Sequence, residues 1–210
     1  MGNGGGTGGR YIMEGGSLLI DRQALRIGRL SPGEFSISNG TVDVKYQTWV
    51  GDGATGSGTL RVLDGGTLIT PFITPYENGE NTVEFNGGTV KATELTATNP
   101  FLNNLTNIVF GAGGVTIDAD GHDLTIANCT FKAAPGVKAI TFANGGTLTF
   151  TGTALELTGK PSVPYTFAEA TGNGTFSGVP SLNMRGYSIR LSLDRKRVVV
   201  TRNGLTILFR

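Results

Sequence analysis

The chain has 210 residues, 34 of them glycine, with 8% aromatic and 16% charged residues and a formal net charge of +1. Glycine at roughly twice its ~7% average usage, with so few charges, excludes a fold built on long helices. No run approaches the ~18 consecutive apolar residues of a membrane-spanning helix, and a single cysteine, Cys129, excludes an internal disulfide framework.

The opening Met1-Gly-Asn-Gly-Gly-Gly-Thr-Gly-Gly9 lacks the basic and apolar regions of a secretory leader. Residues 1–10 are expected to form a flexible Gly-rich tail. The expectation is either a leader removed from this chain or an excerpt of a larger secreted one. Beyond the tail, a paired glycine followed by a short β-forming run recurs five times. The copies are Gly15-Gly16-Ser17-Leu18, Gly65-Gly66-Thr67-Leu68, Gly87-Gly88-Thr89-Val90, Gly113-Gly114-Val115-Thr116 and Gly145-Gly146-Thr147-Leu148. Asn39-Gly40-Thr41-Val42 is a sixth copy with one glycine. Glu14, Asp64, Asn86 or Asn144 precedes four of the pairs. The residues after the glycines (Ser17, Thr41, Thr67, Thr89, Val115, Thr147) are 24, 26, 22, 26 and 32 positions apart. One such step holds two or three short strands with turns, which is one coil of a solenoid. The spacing predicts that these six residues line up in a column.

Between the corners, apolar and polar residues alternate, the signature of a strand with one face inward and one in water. The predicted strands are 41–45, 59–63, 82–85, 89–93, 107–110, 123–126, 139–142, 147–150 and 154–157. The best helical fragments, Arg22–Ile27 and Phe167–Ala170, are too short to stand unsupported. Residues 185–210 hold seven basic residues against one acid, while the remaining chain holds ten against fifteen. Here the pattern becomes Tyr187–Leu193, Arg197–Thr201, an Asn203-Gly204 turn and Leu205–Phe209, a β-meander. Its expected role is to close the last coil, because an open end exposes apolar rungs and unpaired edges. The sharper reading makes Arg190, Arg195, Lys196, Arg197 and Arg202 a docking face for an anionic partner or a neighbouring subunit. Little aromatic interleaving accompanies them, so nucleic acid is not expected.

Catalytic signals are weak. Asp118-Ala-Asp120-Gly-His122-Asp123 gathers three acids and the only histidine, but lacks the spacing of a calcium loop, and reads as a polar turn between two strands. Asp43, Glu84, Glu94 and Glu156 lie in or beside strands, and nothing pairs two of them for glycoside hydrolysis. With one His and one Cys, triads and His-based zinc sites all compete for His122. Cys129 reads as a buried small apolar residue. Asn39, Asn104, Asn128 and Asn173 begin Asn-x-Thr triplets that this composition produces by chance. No catalytic residue, metal or cofactor is assigned.

The reiterated Asn/Asp-Gly-Gly-Thr-Leu/Val unit and the closing Gly186-Tyr187-Ser-Ile-Arg-Leu-Ser-Leu-Asp194, then Val198-Val-Val-Thr201, resemble bacterial surface proteins with autotransporter-type passenger repeats. Those are right-handed parallel β-helices related in shape to pectate lyases. The resemblance covers residues 11–202 and implies export, surface display, adhesion or scaffolding. The calcium ligands and basic catalytic residues of pectate lyases match no position here. The expectation is an all-β chain: a parallel β-helix over 11–184 and a β-hairpin cap over 185–210. It would act outside the cell as a non-enzymatic adhesin, stalk or self-associating scaffold, with glycans or like subunits as partners. The alternative is a polysaccharide-active lyase or glycosidase, or a carbohydrate-binding protein, using Trp49, Tyr46, Tyr76 and Tyr165 to stack on sugars. A two-sheet, mainly antiparallel sandwich is a third architecture that the strand count permits.

Overall fold

The computed structural model describes residues 8–53, 55–77, 79–94 and 99–203. It is a β-solenoid of about seven turns, and its coils are joined by parallel pairing. The first coil is β1 (Gly9–Ile20) and β2 (Leu25–Ile27); the second is β3 (Gly33–Val44) and β4 (Thr48–Asp52). From the third coil each turn has three strands: β5 (Ser57–Leu63), β6 (Gly66–Ile69) and β7 (Ile73–Tyr76), then β8 (Glu80–Asn86), β9 (Gly88–Lys91) and β10 (Leu102–Asn103). The fifth holds β11 (Ile108–Phe110), β12 (Val115–Asp118) and β13 (Leu124–Ala127), and the sixth β14 (Thr130–Ala133), β15 (Ile140–Ala143) and β16 (Thr147–Thr151). The seventh is β17 (Ala154–Leu157), β18 (Tyr165–Ala170) and β19 (Thr175–Ser177), followed by β20 (Ser181–Leu182), β21 (Tyr187–Leu191) and β22 (Arg197–Arg202).

Three faces result. The first stacks β5, β8, β11, β14, β17 and β20, and the second β6, β9, β12, β15 and β18. The third is the separate seven-stranded sheet from β2 to β19. The long β1 and β3 run through the corner between the first two faces: β3 pairs with β5 through Gly33–Ile37 and with β6 through Gly40–Asp43. At the equivalent corner of the third coil the two glycines do different work. Gly65 takes φ +76°, where a side chain is strained, whereas a Cβ on Gly66 would lie 2.3 Å from the carbonyl oxygen of Ile37 in the coil before.

All nine predicted strands are present, and the parallel pairing removes the sandwich alternative. The predicted column is right for four members and needs correction at two. Ser17 pairs with Thr41, Thr41 with Thr67, and Thr67 with Thr89, but Thr89 pairs with Thr116, so Val115 is one place out of register. Thr116 then pairs with Thr141. Thr147 stands on the third face, opposite Thr175. The 32-residue step was long because Gly145-Gly146 turns a different corner, with both glycines at positive φ (82° and 77°). Neither helical fragment is helical: Leu25–Ile27 is β2, and Phe167–Ala170 belongs to β18, where Phe167, Ala168 and Ala170 pack into the core. Of the opening tail, residues 1–7 lie outside the described residues, while Gly9 and Arg10 already pair with Gly33 and Glu34.

Inward-facing side chains form one continuous core. In the early coils it is mostly aliphatic (Ile27, Ile37, Val42, Val44, Val50, Leu60, Val62, Leu68), and in the later coils Phe85, Phe110, Phe131, Phe142, Phe150, Phe167 and Phe176 fill it. The end of the stack carries a cap. β22 lies antiparallel to β18 and pairs with β21, which puts Val198 and Val200 into the core. Of the predicted Asn203-Gly204 turn, Asn203 donates its amide to the Gly186 carbonyl at 2.8 Å, while Gly204 and the strand predicted over 205–209 lie outside the described residues.

Candidate functional site

Function on a solenoid resides in what projects outward, because the interior is sealed by packing. On the second face, Ser17, Thr41, Thr67, Thr89, Thr116 and Thr141 form a row one residue wide across six coils. Successive hydroxyls are spaced by the strand separation of about 4.8 Å. The predicted motif supplied four members of this row, and the register supplied Thr116 and Thr141.

The first face carries a charge ladder instead. Arg10 Nε meets Glu34 at 2.9 Å, Arg61 bridges to Glu34, and Arg61 Nε meets Glu84 at 2.8 Å. The hydrogen bond from Arg61, helped by Arg10 and opposed by burial, holds the Glu34 carboxyl below its usual range. Glu84 is therefore the end of an ion-pair ladder. Asp43 is salt-bridged to Lys45 at 2.7 Å, Glu156 is exposed opposite Lys132 in the register, and Glu94 is exposed. The four acids weighed for hydrolysis are not assembled into a pair. Chain-length recurrence was the available signal for Arg10, Glu34 and Arg61, since all recur at the coil repeat.

The third face holds the aromatic candidates. Arg26, Trp49 and Tyr76 come from three consecutive coils: the Arg26 guanidinium sits 4.3 Å from the Trp49 ring centroid, and the Tyr76 ring lies 4.5 Å from Trp49. Because β4 lies between β2 and β7, the two neighbours cover opposite faces of the indole. Asp52, 2% exposed, stands 3.5 Å from Arg26 Nη1 and 3.9 Å from Arg29 Nε, and anchors the guanidinium. Trp49 is thus half-buried with neighbours stacked on it from the coils on either side, whereas Tyr76 and Tyr46 remain exposed. Tyr165 is half-buried, and burial pushes its phenol up to about 12.

The acidic turn between β12 and β13 braces neighbouring coils. Asp118 Oδ1 accepts from the Asp120 amide at 3.0 Å and from Asn144 Nδ2 at 2.6 Å; Asp123 Oδ1 accepts from the Thr147 amide at 2.6 Å. Lys91 meets Asp120 at 3.0 Å, and this hydrogen bond raises the ammonium's pKa. Among the described residues no group of three His, Cys, Asp or Glu side chains converges as metal ligands would. Cys129 is buried and donates to the Ala127 carbonyl at 3.2 Å, and burial lifts its thiol to about 12.

The basic residues of the cap divide into two groups. Arg195 Nε donates to the Phe176 carbonyl at 3.1 Å, and Lys196 Nζ donates to the carbonyls of Gly172 and Gly174 at 2.7 and 2.6 Å. Both bind the end of the last coil, as charged groups do at exposed carbonyls. Arg190 and Arg202 are exposed on β21 and β22, and Arg197 lies opposite Glu169 in the register. Comparison with family models, with curated proteins and with solved structures returns no match.

Proposed function

We propose that this chain is a non-enzymatic adhesive scaffold that works outside the cell, a stiff rod presenting weak polar contacts in rows. The row of hydroxyls from Ser17 to Thr141 carries this reading. Six identical donor–acceptor groups at one spacing suit a ligand that also repeats, and a repeating glycan or partner chain gains avidity from many contacts that are individually worth little. The engagement of Glu34, Glu84 and Asp43 by arginine and lysine supports structural duty for the acids over catalysis. A polysaccharide-active enzyme needs open aromatic faces beside free carboxylates, and the stacking of Trp49 between Arg26 and Tyr76 argues against it.

The test is to incubate the protein with pectin, alginate and host glycans, following both retention on the polymer and release of new reducing ends. Retention without product is expected. Replacing Thr41, Thr67 and Thr89 together by Val should weaken retention while leaving the fold intact. Product formation abolished by Glu84→Gln or Glu156→Gln would overturn the scaffold reading in favour of an enzyme.

A further inference from the structure

The two ends of the stack differ in how they treat their backbone edges. At the C-terminal end the cap occupies the edge of β18 and reaches the carbonyls and amides of the last coil: β22 pairs with β18, the Phe176 amide donates to the Arg195 carbonyl at 2.8 Å, and Lys196 takes two carbonyls. At the other end β1 has one strand neighbour, β3, and its second edge meets no strand among the described residues. An exposed edge twelve residues long is a template for another strand.

The residues of that edge specify what fits it. In Arg10-Tyr11-Ile12-Met13-Glu14, Tyr11 and Met13 face inward: Tyr11 stacks on Phe35 at 5.0 Å and Met13 is 6% exposed. Arg10, Ile12 and Glu14 face outward and are exposed. An antiparallel copy of this segment centred on Ile12 sets Arg10 opposite Glu14 twice, Tyr11 opposite Met13 twice, and Ile12 against itself. Every opposed pair is then complementary in charge or apolar, and inward residues meet inward ones. Tyr11 and Ile12, now 37% and 42% exposed, would be covered. Gly15 adds an independent observation. It has no positive φ, and a Cβ there would meet nothing within 4 Å, so none of the described residues crowds that place and a second backbone has room along β1 there.

We propose that β1 is a self-association edge, on which a second copy of this chain pairs antiparallel about Ile12 to join two solenoids by their N-terminal ends. The inference deepens the scaffold reading, but its readout is mass and involves no glycan, so either can fail alone. The contact is isologous and uses up the edge on both copies, so assembly closes at two.

Sedimentation of the purified full chain over a range of concentrations tests it. A reversible two-chain species is expected. Glu14→Arg and Arg10→Glu should each weaken the dimer at least about tenfold, because each places like charges face to face twice. Mixing these two variants should restore association, since the mixed pair again opposes Arg and Glu at both positions. Arg10 also meets Glu34, so Ile12→Lys, which leaves that pair intact, serves as a second variant and should likewise give monomer. A wild-type monomer throughout, open-ended polymers, or a dimer indifferent to Glu14→Arg and Ile12→Lys would overturn the proposal.

Discussion

The early and late coils solve the same packing problem differently. Coils one to four fill their interior mostly with Ile, Val and Leu beside Phe35, Phe85 and Phe101, and tie their outer surface with the ladder Arg10–Glu34–Arg61–Glu84 and the Arg26–Trp49–Tyr76 stack. Coils five to seven carry a chain of phenylalanines, with Phe131 touching Phe110, Phe150 and Phe167 at centroid distances of 5.3 to 6.2 Å. Outside, salt bridges such as Lys91–Asp120 and Lys138–Glu169 reach their strands or corners. A repeated backbone thus leaves the source of stability free to change along the axis, because each coil contacts only its neighbours.

The largest expected effect tests the late coils. Phe131→Ala should cost about 3–5 kcal/mol, as large-to-small changes in packed cores do, against about 0.5–1.5 kcal/mol for Ile37→Val in the early core. Urea unfolding monitored by far-UV dichroism measures both. Equal losses would erase the contrast between the two interiors.

Backbone closeness is the next discriminator. Gly28 has φ +73°, and a Cβ there would lie 1.9 Å from the Ser57 carbonyl oxygen; Gly172 has φ +57°, with nothing within 4 Å. Gly172→Ala should therefore cost only the conformational strain, about 1–3 kcal/mol, and Gly28→Ala distinctly more, because the early coils must also move apart. Thermal unfolding of the two variants side by side decides it.

Cys129 gives the late coils a pH dependence. The folded thiol, raised to about 12 by burial, stays protonated where the unfolded thiol, near ~8.5, ionises. The unfolded state then binds fewer protons, so stability falls as pH rises from ~8.5 towards 12, by up to about 1.4 kcal/mol per unit from this group. The slope above pH 9 should become shallower in Cys129→Ala, and a thiol reagent should label the wild type only on unfolding.

The smallest effect belongs to the early ladder. Arg61→Met should cost about 1 kcal/mol or less, since these pairs are partly exposed, and the difference should shrink in high salt. Glu34 is held below its usual range, so its contribution is present above the unfolded value of ~4.3 and is lost as pH falls through the folded value. The gap between wild type and Arg61→Met should narrow as pH falls through the folded Glu34 value in the same urea assay.

Much of this was legible from local pattern. Alternation marked strands such as Thr82–Phe85 and Thr147–Phe150, and paired glycines marked corners, because positive φ and close backbone approach each demand glycine. The late register was not legible. Gly113-Gly114 and Gly145-Gly146 look alike as text, yet they turn different corners, and Thr116 inherits the place that Val115 was expected to take. The polar surface was less legible still: Glu84 and Trp49 looked like candidates for chemistry until coils one repeat away supplied Arg61, Arg26 and Tyr76.

By itself the amino-acid order determined that this chain winds into a β-solenoid, because period-two alternation and corner glycines are constraints on neighbouring residues. Only the tertiary structure decided which outward side chains stand together: the hydroxyl row, the charge ladder and the outer edge of β1. Those juxtapositions join residues more than twenty positions apart, and one residue gained or lost in a corner shifts each row by a full place.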